Sequence, residues 1–90
     1  MTIFIDNPEW PGHGRYWSHL ISDTSFAELQ EFADDLGIPR GAFDGDHYDI
    51  PEERFVQCLA AGAEQCSSRE LVGKLYAAGL RRRKRSRLAQ

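Results

Sequence analysis

Apolar residues recur at the three- and four-residue spacing of a helix in three stretches of the chain. The first stretch opens with Ser25 and Glu28, which can cap each other reciprocally, and Gly37 supplies a left-handed stop. The second carries Pro51 in its first turn, where a missing amide costs no hydrogen bond, and it ends at Gly62. This spacing predicts two helices of about three turns each.

The third stretch has the same organisation as the first. Ser67 and Glu70 form a second capping box, and Gly79 ends the segment. The predicted apolar faces are Phe26, Leu29, Phe32, Ala33 and Leu36, then Phe55, Val56 and Leu59, then Leu71, Val72, Leu75 and Tyr76. Three helices with well-defined ends are therefore expected.

Short strand candidates lie between and before these helices. The strongest is Thr2–Ile5, which is β-branched and aromatic, whereas Trp17–Ile21, His47–Ile50 and Ala63–Cys66 are weaker. Strands that alternate with helices favour parallel βα units. We therefore predict an α/β fold with a small, mostly parallel sheet of three or four strands and about three helices. The segment Asn7–Arg15, rich in proline and glycine, is expected to be an irregular loop.

Composition limits the class of protein. The chain has 90 residues, of which 41% are apolar, so one soluble globular domain is expected, covering residues 1–80. No apolar run approaches the roughly 20 residues that a membrane span needs, and the first residues do not resemble a signal peptide. We expect a cytoplasmic protein in which Cys58 and Cys66 are reduced thiols.

The charge is distributed unevenly. Residues 1–80 carry five basic and fourteen acidic side chains, a net charge of −9, and a basic tail covers residues 81–90. The tail could neutralise phosphates of RNA or DNA without sequence specificity. Its candidate contacts are Arg81, Arg82, Arg83, Lys84, Arg85 and Arg87.

Acidic and imidazole side chains follow the predicted strands. In an open parallel sheet, ligands bind at the carboxyl ends of the strands, and carboxylates with imidazoles suit zinc, manganese or magnesium. Asp6 is a candidate ligand and catalytic residue, and His19 is a candidate ligand or general base. The remaining candidate ligands are Asp23, His47 and Asp49.

Ser67, Ser68 and Arg69 begin the third predicted helix, whose N-terminus favours an anion. With the metal candidates, they give the leading hypothesis: a divalent-metal- or anion-binding domain acting on a phosphate-containing substrate, either a nucleotide or a nucleic acid. Any enzyme of this kind would be a metal-dependent phosphoester hydrolase. The alternative is a non-catalytic module that binds protein or nucleic acid through its tail. A homodimer formed through the Trp10 loop is a further alternative.

The same residues also have purely structural interpretations. Asp23 and Asp49 could cap helices, and Asp44 and Asp46 flank Gly45 as turn residues often do. Neither a turn nor a cap requires an imidazole, so His47 is the residue of this stretch that folding explains least.

Several segments resemble a family of small bacterial proteins catalogued as domain of unknown function 4031. The resemblance covers residues 2–80 and excludes the basic tail. It implies a compact cytosolic bacterial domain and carries over no catalytic residue. The segments that carry it are WSHL at 17–20 with Ser22-Asp23, DHYD at 46–49 and SSREL at 67–71.

Overall fold

The computed structural model describes residues 1–81, and residues 82–90 of the predicted tail lie outside the described part. The helices are α1 (Phe26–Asp35), α2 (Phe55–Ala60) and α3 (Ser68–Ala77), with 3-10 turns at Arg40–Ala42 and Glu52–Arg54. The strands are β1 (Ile3–Ile5), β2 (Trp10–Gly12), β3 (Arg15–Ser22), β4 (Phe43–Asp44), β5 (His47–Pro51) and β6 (Glu64–Gln65). No helix within residues 1–81 has the length and apolarity to cross a membrane.

The six strands form one mixed sheet in the order β4-β5-β3-β1-β6, and β2 pairs with one end of β3. The α/β class and the three helices are confirmed, in a single domain. The prediction of a mostly parallel sheet with three or four strands was wrong. Within the described residues only β1 and β6 pair in parallel, and the other four pairings are antiparallel.

Two tight hairpins account for two of the four antiparallel pairings. His13 and Gly14 join β2 to β3 with φ angles of 50° and 76°, as a two-residue hairpin turn requires. Gly45, with φ of 74°, opens the turn between β4 and β5. The predicted irregular loop therefore contains β2, and these short connections reverse the chain where a parallel arrangement needs a crossover.

The helix starts agree only in part with the predicted caps. The capping box of Ser67 and Glu70 is present at α3. Ser25 accepts from the Glu28 amide at α1, but the Glu28 carboxylate accepts from the Ser22 hydroxyl instead of closing a second box. Asp49 caps no helix, because it lies within β5.

The sheet buries one face more completely than the other. On one face, Leu20, Tyr48 and Ile50 pack into the main core together with Leu29 of α1 and Cys58 of α2. Helices α1 and α2 therefore cover this face of the sheet.

The opposite face carries a smaller apolar cluster, in which Ile21 packs against Leu71 and Leu75 of α3. Because side chains alternate along a strand, His19 of β3 lies on this second face, as does Asp49 of β5. Polar side chains are tolerated there because α3 covers only part of the sheet.

Candidate metal centre

A row of three polar residues crosses the second face of the sheet. β3 pairs with β5 so that His19 lies directly opposite Asp49. On its other side, β3 pairs with β1, and the residue after β1, Asp6, donates its amide to the His19 carbonyl at 3.2 Å. The antiparallel register therefore brings together three side chains that are far apart in the sequence.

His47 joins this row from a diagonal position, because it precedes Asp49 by two residues on β5 and shares its face. Its Nε2 atom lies 3.1 Å from Asp49 Oδ1. The rings of His19 and His47 meet edge to face with centroids 5.0 Å apart.

Two histidines and one carboxylate thus form a compact cluster. His19, His47 and Asp49 each offer one ligand atom, and these atoms all lie within 4.8 Å of one another. Metal ligands at about 2.0–2.2 Å from zinc lie somewhat closer together than this upper bound. The three atoms therefore lie near enough to one another to be candidate ligands of a single ion.

Asp6 lies behind His19 and is fully buried. Its Oδ1 accepts from the His19 amide at 2.6 Å, and its Oδ2 accepts from His19 Nδ1 at 2.8 Å. The same Oδ2 also accepts from Ser68 Oγ at 2.8 Å and from Trp10 Nε1 at 3.3 Å. Both carboxylate oxygens are therefore occupied by protein donors.

These contacts fix the protonation of the pair. Burial raises the pKa of Asp6, but the hydrogen bonds donated by His19 and Ser68 outweigh it and hold that pKa below its ordinary value. The hydrogen bond to Asp6 raises the pKa of His19, although burial opposes this shift. Since Asp6 is a carboxylate that only accepts, Nδ1 of His19 carries its proton and Nε2 is the nitrogen available to a ligand.

His47 is oriented in the same way by a different carboxylate. Its Nδ1 lies 2.8 Å from Asp46 Oδ1. Arg81 donates to both oxygens of Asp46, from Nε at 2.7 Å and from Nη2 at 2.9 Å. The hydrogen bonds from Arg81 hold the pKa of Asp46 below its ordinary value, against the opposing effect of burial. Each histidine of the cluster therefore has its Nδ1 against an ionised carboxylate.

Two cavities flank the cluster and share Trp10 and His19. The larger, of about 440 Å³, is lined by aromatic and small residues and reaches His19 and Asp49. The smaller, of about 220 Å³, extends past His47 and Asp6 to Arg81. The cluster therefore borders both cavities.

The structure brings His19, His47 and Asp49 together with Asp6, as the sequence analysis expected of these four residues. It does not bring Asp23 to them. Asp23 accepts from the Thr2 amide at the other end of β1, where its Oδ1 lies 2.8 Å from Thr2 N.

The three residues proposed to hold phosphate have other roles or positions. Ser67 caps α3, and Ser68 donates to Asp6, so both hydroxyls are used by the fold. Arg69 is exposed and lines neither cavity of the cluster. Of the six tail residues, only Arg81 is described, and it pairs with Asp46.

Sequence reasoning missed the parts played by Asp46, Trp10 and Arg81. The alternation of polar and apolar residues from His47 to Ile50 places His47 and Asp49 on one face of a strand, but it gives no information on Asp46, which lies in the preceding turn. The pairing of Asp46 with Arg81 had no such signal, because 35 residues separate them.

The fold and the cluster define a class of protein: a small α/β domain with a two-histidine, one-carboxylate cluster on the open face of its mixed sheet. The sequence matches the family described as protein of unknown function (DUF4031) over residues 3–78, and the chain belongs to that family. No curated protein and no solved structure gives a match.

Proposed function

We propose that this protein binds a divalent metal through His19, His47 and Asp49 and uses it to hydrolyse a phosphate-containing substrate. The observation that carries the proposal is the pair of oriented imidazoles. Metal-binding histidines commonly donate their second ring nitrogen to a carboxylate, which fixes the ring and its tautomer. Asp6 serves His19 in this way, and Asp46 serves His47.

The donor set narrows the choice of metal. Two imidazole nitrogens and one carboxylate oxygen suit zinc or manganese better than magnesium, which prefers oxygen ligands. Three protein ligands leave positions for water and for a substrate oxygen, as in hydrolytic zinc sites. Asp6 then has a positioning role, since its oxygens already accept from His19, Ser68 and Trp10.

Phosphoester hydrolysis is the reaction that suits this arrangement. A divalent metal held by His19, His47 and Asp49 would activate a water molecule for attack on phosphorus, and the ester P–O bond would break as the proton of that water passes to the departing alcohol. Arg81 supports the phosphate part of the proposal, because it lines the smaller cavity with His19 and His47. It uses Nε and Nη2 on Asp46, so Nη1 has no hydrogen-bond acceptor within residues 1–81 and can face a phosphate oxygen.

Calorimetric titration of the purified protein with zinc, manganese and magnesium chloride tests the metal site. One site is expected, with zinc bound more tightly than manganese and manganese more tightly than magnesium. His19→Gln and His47→Gln should each abolish it, whereas His13→Gln, at an exposed loop histidine, should not. Hydrolysis of bis(p-nitrophenyl) phosphate that appears with the metal and disappears with either cluster variant tests the reaction. Absence of heat with all three metals would refute the proposal.

A further inference from the structure

We propose that the larger cavity beside the cluster binds a flat aromatic ring joined to the phosphate of the substrate. This inference rests on the proposed function for the phosphate half, but the ring half has support of its own. Its substrate class is a small phosphoester with one aromatic ring, either a nucleobase or a simple aryl group.

The lining of the cavity suits a neutral planar group. Its volume of about 440 Å³ is enough for one ring system. Within the described residues, no lysine or arginine lines it, so nothing there would attract a second anionic group. Its walls are Trp10, Pro11, Gly12, His13, Trp17, His19, Gly41, Ala42 and Asp49.

Trp10 is held rigidly and yet remains open to solvent. Its indole N–H points at Asp6, and its ring meets that of His19 edge to face with centroids 5.2 Å apart. Despite these contacts, 46% of Trp10 is exposed. An aromatic surface that is already ordered loses little conformational entropy when a ring stacks on it.

Trp17 forms a second aromatic wall. Its indole N–H donates to the Gly12 carbonyl at 2.8 Å, which fixes the ring beside the β2–β3 turn. A Cβ atom at Gly12 would lie 3.3 Å from Trp17 Nε1, a tight contact that a side chain there could make only if the indole shifted slightly. Gly41 and Ala42 also line the cavity, and their small size leaves more of its volume free.

Each of the two cavities would hold one part of the substrate. Both include His19 and Trp10, so a ligand that spans the cluster places its ring against Trp10 and Trp17 and its phosphate toward Arg81. The net charge of −9 over residues 1–80 opposes the approach of a polyanion. The substrate is therefore expected to be a small molecule and not a nucleic acid.

Binding of two matched phosphonates, whose C–P bond resists hydrolysis, tests the inference on the zinc-loaded protein. Phenylphosphonate should bind about 5- to 150-fold more tightly than ethylphosphonate, since stacking of one ring on an aromatic side chain contributes about 1–3 kcal/mol. Equal affinities for the two phosphonates would overturn the inference.

Variants of Trp10 locate the ring. Trp10→Leu should remove the preference for phenylphosphonate, whereas Trp10→Phe should retain it, because a flat ring remains. Tyr16→Leu is the matched control, since Tyr16 is 51% exposed on the same hairpin and lies outside the cavity. A preference that survives in Trp10→Leu would place the ring elsewhere and overturn the inference.

A metal-free experiment separates this inference from the proposed function. Adenosine and phenol, which carry no phosphate, are titrated while the indole N–H signal of Trp10 is followed by NMR. A shift of that signal supports the ring site even if the protein binds no metal, and the ligand that acts at lower concentration distinguishes a nucleobase from an aryl ring. If neither ligand shifts it, the ring site is refuted while a positive metal titration still stands.

Discussion

An aspartate lies at each end of the β1–β3 pair, Asp6 at one end and Asp23 at the other, and both make the same hydrogen bonds to the facing strand. At one end, the Asp6 amide donates to the His19 carbonyl, and Asp6 Oδ1 accepts from the His19 amide. At the other end, the Asp23 amide donates to the Thr2 carbonyl, and Asp23 Oδ1 accepts from the Thr2 amide. Each aspartate thus closes one end of the strand pair with the same two hydrogen bonds.

The surroundings of the two carboxylates differ. Asp6 is fully buried and also accepts from three side chains, those of His19, Ser68 and Trp10. Asp23 is half-buried, and within residues 1–81 the only other side chain that donates to it is that of Thr24, its neighbour in sequence. At Asp6, α3 and β2 pack over the strand end and supply Ser68 and Trp10 as donors, whereas no helix or strand supplies a donor of this kind to Asp23 within residues 1–81.

The largest expected effect is on the free energy of unfolding, when asparagine replaces the aspartate at each end of the β1–β3 pair. Asp6→Asn turns an oxygen that accepts hydrogen bonds into an amide that faces the same donors, so buried polar groups lose their partner. We expect a loss of about 3 kcal/mol in the free energy of unfolding, and about 1 kcal/mol for Asp23→Asn. Urea denaturation followed by circular dichroism measures both.

If Asp6→Asn and Asp23→Asn lost the same free energy of unfolding, the proposed difference between the two aspartates would be contradicted. Equal losses would mean that each aspartate contributes only the closing hydrogen bonds of the strand pair, and that the contacts of Asp6 with His19 and Ser68 add nothing to stability.

A smaller effect concerns Asp46, the other carboxylate that orients a histidine. Its removal leaves the three ligands in place but frees the ring of His47. Asp46→Asn should weaken zinc binding about 10- to 100-fold. Asp44→Asn, at an exposed position of the same hairpin, is the matched control and should leave the affinity unchanged. Calorimetry that finds equal zinc affinities for the two variants would remove Asp46 from the site.

Local chemistry in the sequence predicted α1 and α3 well. The prediction that the second helix carries Pro51 in its first turn was wrong, because Pro51 ends β5, Glu52–Arg54 form a 3-10 turn, and α2 begins at Phe55. Ser67 and Glu70 form the expected box, and α1, α2 and α3 lie within the expected segments, because caps and helical periodicity depend on residues only a few positions apart.

Strand pairing depends on residues that are far apart in the sequence, so neighbouring residues did not reveal whether the strands pair in parallel or antiparallel. The turns at His13-Gly14 and Gly45-Asp46 were the available signals for antiparallel hairpins, and both are only two residues long.

The sequence identified the residues of the candidate site but not their arrangement in space. We expected the three side chains to meet at the edge of a parallel sheet where the strands end. These are the side chains of His19, His47 and Asp49. They meet instead on a face of the sheet, through the antiparallel register of β3 with β5. Asp6 and Asp23 were both candidate ligands because each follows a predicted strand, and the donors Ser68 of α3 and Trp10 of β2 at Asp6 separate them.

A smaller effect is expected when a half-buried ion pair is compared with an exposed one. Arg81 donates two hydrogen bonds to Asp46, and 31% of the Arg81 side chain is exposed. Arg81→Gln should cost about 1 kcal/mol of unfolding free energy, the upper end for a partly exposed pair. Arg40→Gln breaks a similar two-bond pair with Asp34 that is fully exposed to solvent, and no measurable change is expected there. Urea denaturation with equal losses at the two positions would show that burial of Asp46 contributes nothing.

The smallest expected effect is the pH dependence that Asp6 gives to His19 in the metal-free protein. The hydrogen bond to Asp6 raises the pKa of His19 above its ordinary value of 6.5, against the opposing effect of burial. A raised pKa in the folded state means that the charged pair stabilises the fold fully at pH below about 6.5. That contribution is lost as the pH rises through the folded-state pKa.

NMR titration of the histidine ring protons measures this shift directly. Asp6→Asn should lower the pKa of His19, because the amide replaces a carboxylate, whereas Asp23→Asn should leave it unchanged, because Asp23 lies at the far end of the strand pair. If Asp6→Asn leaves the pKa of His19 where it was, the carboxylate does not control that ring. The two ends of the strand pair would then differ in burial and in the donors Ser68 and Trp10, and Asp6 would have no electrostatic role in preparing His19 for a metal.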